Sequence, residues 1–165
     1  MNGGVIIGID QGSSSTRCVV ADAELRTLAS ASSPVATERP GPGMVEHDPN
    51  DVFEGVLRAV RESLADAGDP DVAAVGIATQ TETFILWDAE SGEPATRLIS
   101  WQDQRAEGTA RAIAPHAGAI DAATGLPLAP TFSARPMACC GRAQTLPCAD
   151  SQARGNWVLR TRIYI

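Results

Sequence analysis

The chain has 165 residues, 44% of them hydrophobic, which suits one folded domain with a proper core. Its formal charge of −7 is uneven: residues 1–134 hold eight arginines against nineteen acids, residues 135–165 five against one aspartate, and the acidic body excludes a nucleic-acid surface because it repels phosphate backbones. No apolar run approaches the roughly 20 residues that span a bilayer, and no basic segment leads into a signal-type core, so no membrane contact and a cytoplasmic location are expected.

Residues 5–10 (VIIGID) and 18–22 (CVVAD) predict two strands joined by the small polar turn QGSSST. Cys18 alternates within the second and reads as a small buried residue. A third strand is expected over residues 27–33. ERPGPGMVEHDPN, with three prolines and two glycines, reads as a loop. Asp48 is placed to cap a helix with Pro49 at its first position. Apolar residues at helical spacing carry that helix over residues 51–67, and Gly68 ends it.

VAAVGIAT (72–79) is expected as a buried strand and TFILWD (83–88) as another, with Gln80-Thr81-Glu82 between them. AESGEPA is a turn, and RLISW (97–101) is a short strand leading into Gln102-Asp103-Gln104-Arg105. Helical patterns cover 106–114 and 116–123, separated by Pro115. These elements predict a mixed α/β domain. His47 and His116 fall in loop-like contexts and carry no assigned role. Cys139, Cys140 and Cys148 lie together with no nearby histidine, which fits zinc spacings poorly, so no metal site is expected there.

The first hairpin has the chemistry of an anion site. Gly12 lets backbone approach closely, and successive N–H groups of a tight turn form a nest. Ser13, Ser14, Ser15 and Thr16 add hydroxyl donors. Asp10 suits a magnesium ion held through water, and Arg17 supplies fixed positive charge. A small polar turn alone is ordinary, and the missing GK[ST] ending means this is not a P-loop.

GIDQGSSSTR, PGMVEHDP, VAAVGIATQTETFILWDAESGEP, ISWQDQR and TGLPLAPTFSA occur in the order and spacing of the FGGY carbohydrate kinases, so residues 4–134 resemble that family, near its glycerol kinase and xylulokinase branches. The resemblance implies the ribonuclease-H-like fold of actin and hexokinase, a mixed sheet with flanking helices, here incomplete. It also implies ATP and Mg2+ as cofactors and transfer of the γ-phosphate to a hydroxyl of a small-molecule sugar or polyol. By that likeness Asp10 is the acid near the metal. Gly12, Ser13, Ser14, Ser15 and Arg17 contact phosphate, Arg17 serving catalysis. Glu82 accepts hydrogen bonds from substrate hydroxyls, and Trp101 walls the carbon face. Asp103 and Arg105 lie beside them, either touching substrate or pairing structurally.

Two positions depart from glycerol kinases, which have arginine at Thr81 and tyrosine at Thr131. Both changes shorten a pocket side chain and favour a longer polyol or ketose over glycerol. The family's general base is an aspartate of a second domain, so this stretch alone is expected to show little or no turnover. Full-length members are often dimers or tetramers, so a homo-oligomer is expected of the full-length protein. Residues 135–165 break from the family pattern and reverse the charge balance, as a frameshift near codon 134 would produce. A poorly ordered, aggregation-prone tail is expected there. Two other readings compete: a truncated inactive product, and a non-catalytic nucleotide-binding module of the actin or Hsp70 type. That type lacks the TQTETFILWD and SWQDQR elements.

Overall fold

The structure, a computed structural model, describes residues 4–88, 91–125 and 157–160. They divide into two compact units: the first holds residues up to Thr37 and His47–Gln80, the second Glu38–Glu46 and the residues from Thr81 onward.

The first unit is built on a four-stranded sheet. Strands β1 (Val5–Gln11), β2 (Ser15–Ala21) and β3 (Thr27–Pro34) form an antiparallel meander, with Ile9 opposite Cys18 and Cys18 opposite Ala31. After a short β4 (Glu46–His47) and helix α1 (Pro49–Asp66), strand β5 (Val72–Thr79) returns parallel to β1, giving the order β3-β2-β1-β5. The result is the expected mixed sheet.

Period-2 alternation sends Val5, Ile7, Ile9 and Gln11 to one face of β1, where they are buried, and Ile6, Gly8 and Asp10 to the other. α1 packs on the first face: Val56 and Ala59 meet Ile7, Ile9 and Cys18 in the core, with Val60 and Leu64 against them. Its ends follow the sequence closely. Asp48 accepts from the N–H groups of Asn50 (2.9 Å) and Asp51 (3.4 Å), with Pro49 in the first turn. At the other end Gly68 takes φ +82°, the Gly68 N–H donates to Ala65 O and the Asp69 N–H to Leu64 O. That Schellman arrangement satisfies the last carbonyls.

One expectation fails here. β5 is not a buried strand: Val72 is 43% exposed, Val75 55% and Ile77 44%. α1 spreads over β3, β2 and β1, and β5 ends the sheet beyond its reach.

In the second unit, β6 (Ile85–Asp88) pairs antiparallel with β8 (Trp157–Arg160), and Phe84 bridges Ile99 of β7 (Leu98–Ile99). Phe84, Leu86 and Ile99 form its core with Ala95 packed against them. Helix α2 (Glu107–Ile113) runs through a 3₁₀ turn (Ala114–His116) into α3 (Ala117–Thr124), so Pro115 tightens the path without breaking it. The loop expected over residues 38–50 carries local pairing too, with Glu38 bridging Glu46. Thr131, Cys139, Cys140, Cys148 and the rest of residues 135–165 apart from β8 lie outside the described residues.

Candidate functional site

The hairpin tip at the carboxyl end of β1 is a two-residue turn. The Gly12 N–H donates to Ser15 O at 3.0 Å around Ser13 and Ser14. A Cβ on Gly12 would stand 3.1 Å from Ser15 O, so a side chain here would push the turn open by a few tenths of an ångström. Two of its carbonyls are engaged. Gly12 O accepts from Gln11 Nε2 at 2.7 Å, and Ser14 O accepts from the Val35 N–H at 2.9 Å. Among the described residues, neither the amide nor the hydroxyl of Ser13 or Ser14 makes a hydrogen bond.

Asp10 and Arg17 are direct cross-strand neighbours, both exposed on the sheet face opposite α1. Thr16 differs from its neighbours. Alternation turns it to the α1 face, where it is fully buried and its Oγ1 has no partner among the described residues. Its hydroxyl is therefore not part of the open tip, a correction to the run of four hydroxyl donors.

The second unit holds the other group of residues. Glu82 sits at φ +62°, a left-handed conformation that non-glycine residues rarely hold. Next to it, buried Thr83 accepts the Trp101 N–H on its Oγ1 at 3.1 Å, which fixes the backbone of a tryptophan left 41% exposed. Thr81 is exposed.

Asp103 is 1% exposed, with both carboxylate oxygens engaged. Oδ2 accepts from the Val45 N–H (2.7 Å) and Arg105 Nη2 (2.8 Å), and Oδ1 from Arg105 N (2.9 Å) and Nε (2.8 Å). Arg105 Nη2 also donates to Glu46 Oε1 at 2.5 Å. Burial pulls the Arg105 pKa down, but its hydrogen bonds to Asp103 and Glu46 outweigh that and raise it above the usual guanidinium range. This network ties residues 43–46 to 100–105, with the Ser100 N–H donating to Val45 O and the Gln104 N–H to Gly43 O.

Three polar residues went unassigned in the sequence. His47, 1% exposed, donates from Nδ1 to Ala36 O at 2.9 Å and is a core residue rather than a loop one. Gln11 and Gln80 are buried beneath the hairpin tip, Gln80 Nε2 donating to Gln11 Oε1 at 3.4 Å. Their places at two strand ends were the only available signal.

The chain matches the N-terminal domain of the FGGY family of carbohydrate kinases over residues 5–138. It is 44% identical to glycerol kinase of Methylorubrum extorquens over 134 residues, 79% of this chain and 27% of that protein. With glycerol kinase of Agrobacterium fabrum it shares 44% over 106 residues, 63% of this chain and 21% of that protein. The chain thus spans about a quarter of the length of these curated relatives.

Among solved structures, Plasmodium falciparum glycerol kinase with ADP superposes with a TM-score of 0.79 at 27% identity, over 85% of this chain and 29% of that one. Ligand-bound xylulose kinase of Lactobacillus acidophilus gives 0.79 at 25%, over 86% and 29%. These neighbours bear out the actin/hexokinase-type, ribonuclease-H-like fold. A match that takes in most of its residues shows that the chain belongs to the FGGY family of carbohydrate kinases.

Proposed function

We propose that the chain carries the phosphate-binding front of an ATP-dependent kinase whose acceptor is a hydroxyl of a sugar or polyol. The observation that carries this reading is the hairpin tip, where unengaged Ser13 and Ser14 amides lie at a turn flanked by Asp10 and Arg17 on one open face. Phosphoryl transfer depends mainly on positioning and charge stabilisation, which these groups suit. Among the described residues no cluster of three or more His, Cys, Asp or Glu side chains could cage a metal. A single carboxylate fits a magnesium ion held chiefly by phosphate oxygens and water, with Asp10 accepting from that water.

ATP, when bound, supplies the phosphoryl group. Ser13, Ser14 and Ser15 donate to its phosphate oxygens, and Arg17 offsets negative charge. Glu82 accepts from substrate hydroxyls and Trp101 lies against the substrate's carbon face. Asp103 we assign to holding Val45 and Arg105 in place rather than to touching substrate, since its oxygens are already engaged. Thr81 and Thr131 favour a polyol or ketose longer than glycerol. A cytoplasmic setting and a homo-oligomeric full-length protein accompany this reading.

The test is 31P NMR of Mg-ATP titrated with the chain, followed by a panel of polyols and ketoses that includes glycerol. The β and γ resonances are expected to broaden, and Arg17→Ala to weaken binding about tenfold, the worth of one charge-assisted hydrogen bond. ATP resonances that ignore the chain at millimolar concentration overturn the reading. Product from any polyol supports transfer by this length of chain, whereas binding without product supports the truncated, inactive form.

A further inference from the structure

Two buried side chains beneath the hairpin tip form a hydrogen-bonded chain that ends on the Gly12 carbonyl and that the proposed chemistry does not use directly. Gln80, the residue after β5, donates from Nε2 to Gln11 Oε1, and Gln11, the last residue of β1, donates from Nε2 to Gly12 O at 2.7 Å. The Gln80 N–H also donates to Gln11 O at 2.8 Å, so the two glutamines are held by main chain as well as side chain. Gln11 is fully buried, on the α1 face of the sheet.

The peptide bond makes this a matter of direction. In a planar trans unit the carbonyl and the following N–H point opposite ways. With Gly12 O drawn toward the α1 face by Gln11, the Ser13 N–H is directed to the other face, which carries Asp10 and Arg17. Were this peptide flipped, the Gly12 carbonyl would face the open side and present lone pairs to a phosphate. A buried amide is well suited to prevent the flip, because leaving its donor and the carbonyl unpaired in the interior is costly. Gln80 settles which way the Gln11 amide is turned by occupying its oxygen, leaving the nitrogen for Gly12.

We infer that Gln11, oriented by Gln80, is a positioning residue for anion binding at this turn: it pins the Gly12 carbonyl inward so that the Ser13 N–H faces the phosphate. The inference rests on the phosphate-site reading above, and extends it to two residues that touch neither phosphate nor substrate.

The experiment is titration of the 15N-labelled full chain with sodium tripolyphosphate, followed by amide spectra, for wild type, Gln11→Met and Gln80→Met. Methionine keeps the side-chain length and removes the amide. In wild type the Ser13 amide is expected to move saturably. Gln11→Met should shift the Ser13 resonance before any ligand is added and weaken binding by the folded protein about tenfold, with the Cys18 and Val20 amides little changed. A role in stability alone would move the midpoint and leave the affinity of the folded fraction intact. Should Gln11→Met not fold, Gln80→Met carries the test, since it leaves the Gln11–Gly12 bond available. The Gln11 side-chain amide resonance should then move and binding should weaken. Variants that bind as wild type does overturn the inference while leaving the phosphate site standing. Wild type that does not respond to tripolyphosphate overturns both.

Discussion

Glu82 is held in the left-handed region two residues past Gln80, where the first unit ends, and its side chain is the one the family likeness directs at substrate hydroxyls. A left-handed backbone costs a non-glycine residue about 1 kcal/mol, and such outliers gather at functional positions. Glu82→Gly is therefore expected to be more stable than Glu82→Ala by about 1 kcal/mol in urea unfolding. Equal midpoints for the two would show that the backbone at this position is relaxed. Asp103 presents the opposite case, a buried charge whose value lies in its partners. Asp103→Ala leaves the Arg105 guanidinium and the Val45 N–H without their shared acceptor, and a loss of about 3 kcal/mol is expected. Asp103→Asn keeps an acceptor for Val45 and should fall between. Unfolding curves of both variants matching wild type would rule out the tie between residues 43–46 and 100–105.

The turn between β2 and β3 shows how an element end is set by one carboxylate. Asp22 Oδ1 accepts from the N–H groups of Glu24 (3.0 Å) and Arg26 (2.9 Å), and Oδ2 accepts from Arg26 Nε at 2.7 Å, around Leu25 at φ +61°. The backbone bond from Arg26 leads the causes that hold the Asp22 carboxyl below its ordinary value of 3.8. A depressed folded value means stability that is present above the ordinary carboxylate range and lost as pH falls through the folded one. Asp22→Asn should accordingly lower the thermal midpoint at pH 7, and the difference from wild type should shrink below about pH 4. The effect is expected to be small because the group is exposed. A gap that stays constant from pH 7 to pH 2 would show that the carboxylate charge contributes nothing to the turn. α1 relies on a similar device at its start, where Asp48 caps two N–H groups.

At the scale of the whole molecule, α1 covers one face of the first unit's sheet and only in part. β5 has no charged residue, exposes Val75 and Ile77, and ends the sheet with an edge unpaired among the described residues. An apolar strand edge of this kind is a template for pairing with other chains. Ile77→Lys is expected to change folding stability by no more than about 0.5 kcal/mol, as for other exposed positions, while lowering light scattering of concentrated solutions. A loss of several kcal/mol instead would mean that β5 is packed after all. The matched stretch makes up about a quarter of the relatives' length, so the exposed strand belongs to only part of such a protein.

Features set by residues near one another could be read without coordinates. The β1–β2 hairpin, α1 with Asp48 before it and Gly68 after it, and the buried Cys18 all follow from alternation, helical spacing and caps that act within a few positions. The five family stretches likewise singled out the β1–β2 turn, Glu82 and Trp101 as candidate site residues, because each is a short contiguous pattern. Tertiary structure decided the rest. VAAVGIAT reads the same whether a helix covers it or not, since an apolar run does not say what lies over it. Asp103 meets the Val45 N–H across 58 positions and Gln80 meets Gln11 across 69, so neither pairing leaves a local pattern. Burial of His47 and Thr16 depends on which face of a strand or loop the fold closes over. Short-range periodicity determines what an element is. Only packing determines which of its polar groups are enclosed, and that enclosure separates the residues that could meet a ligand from those that hold them in place.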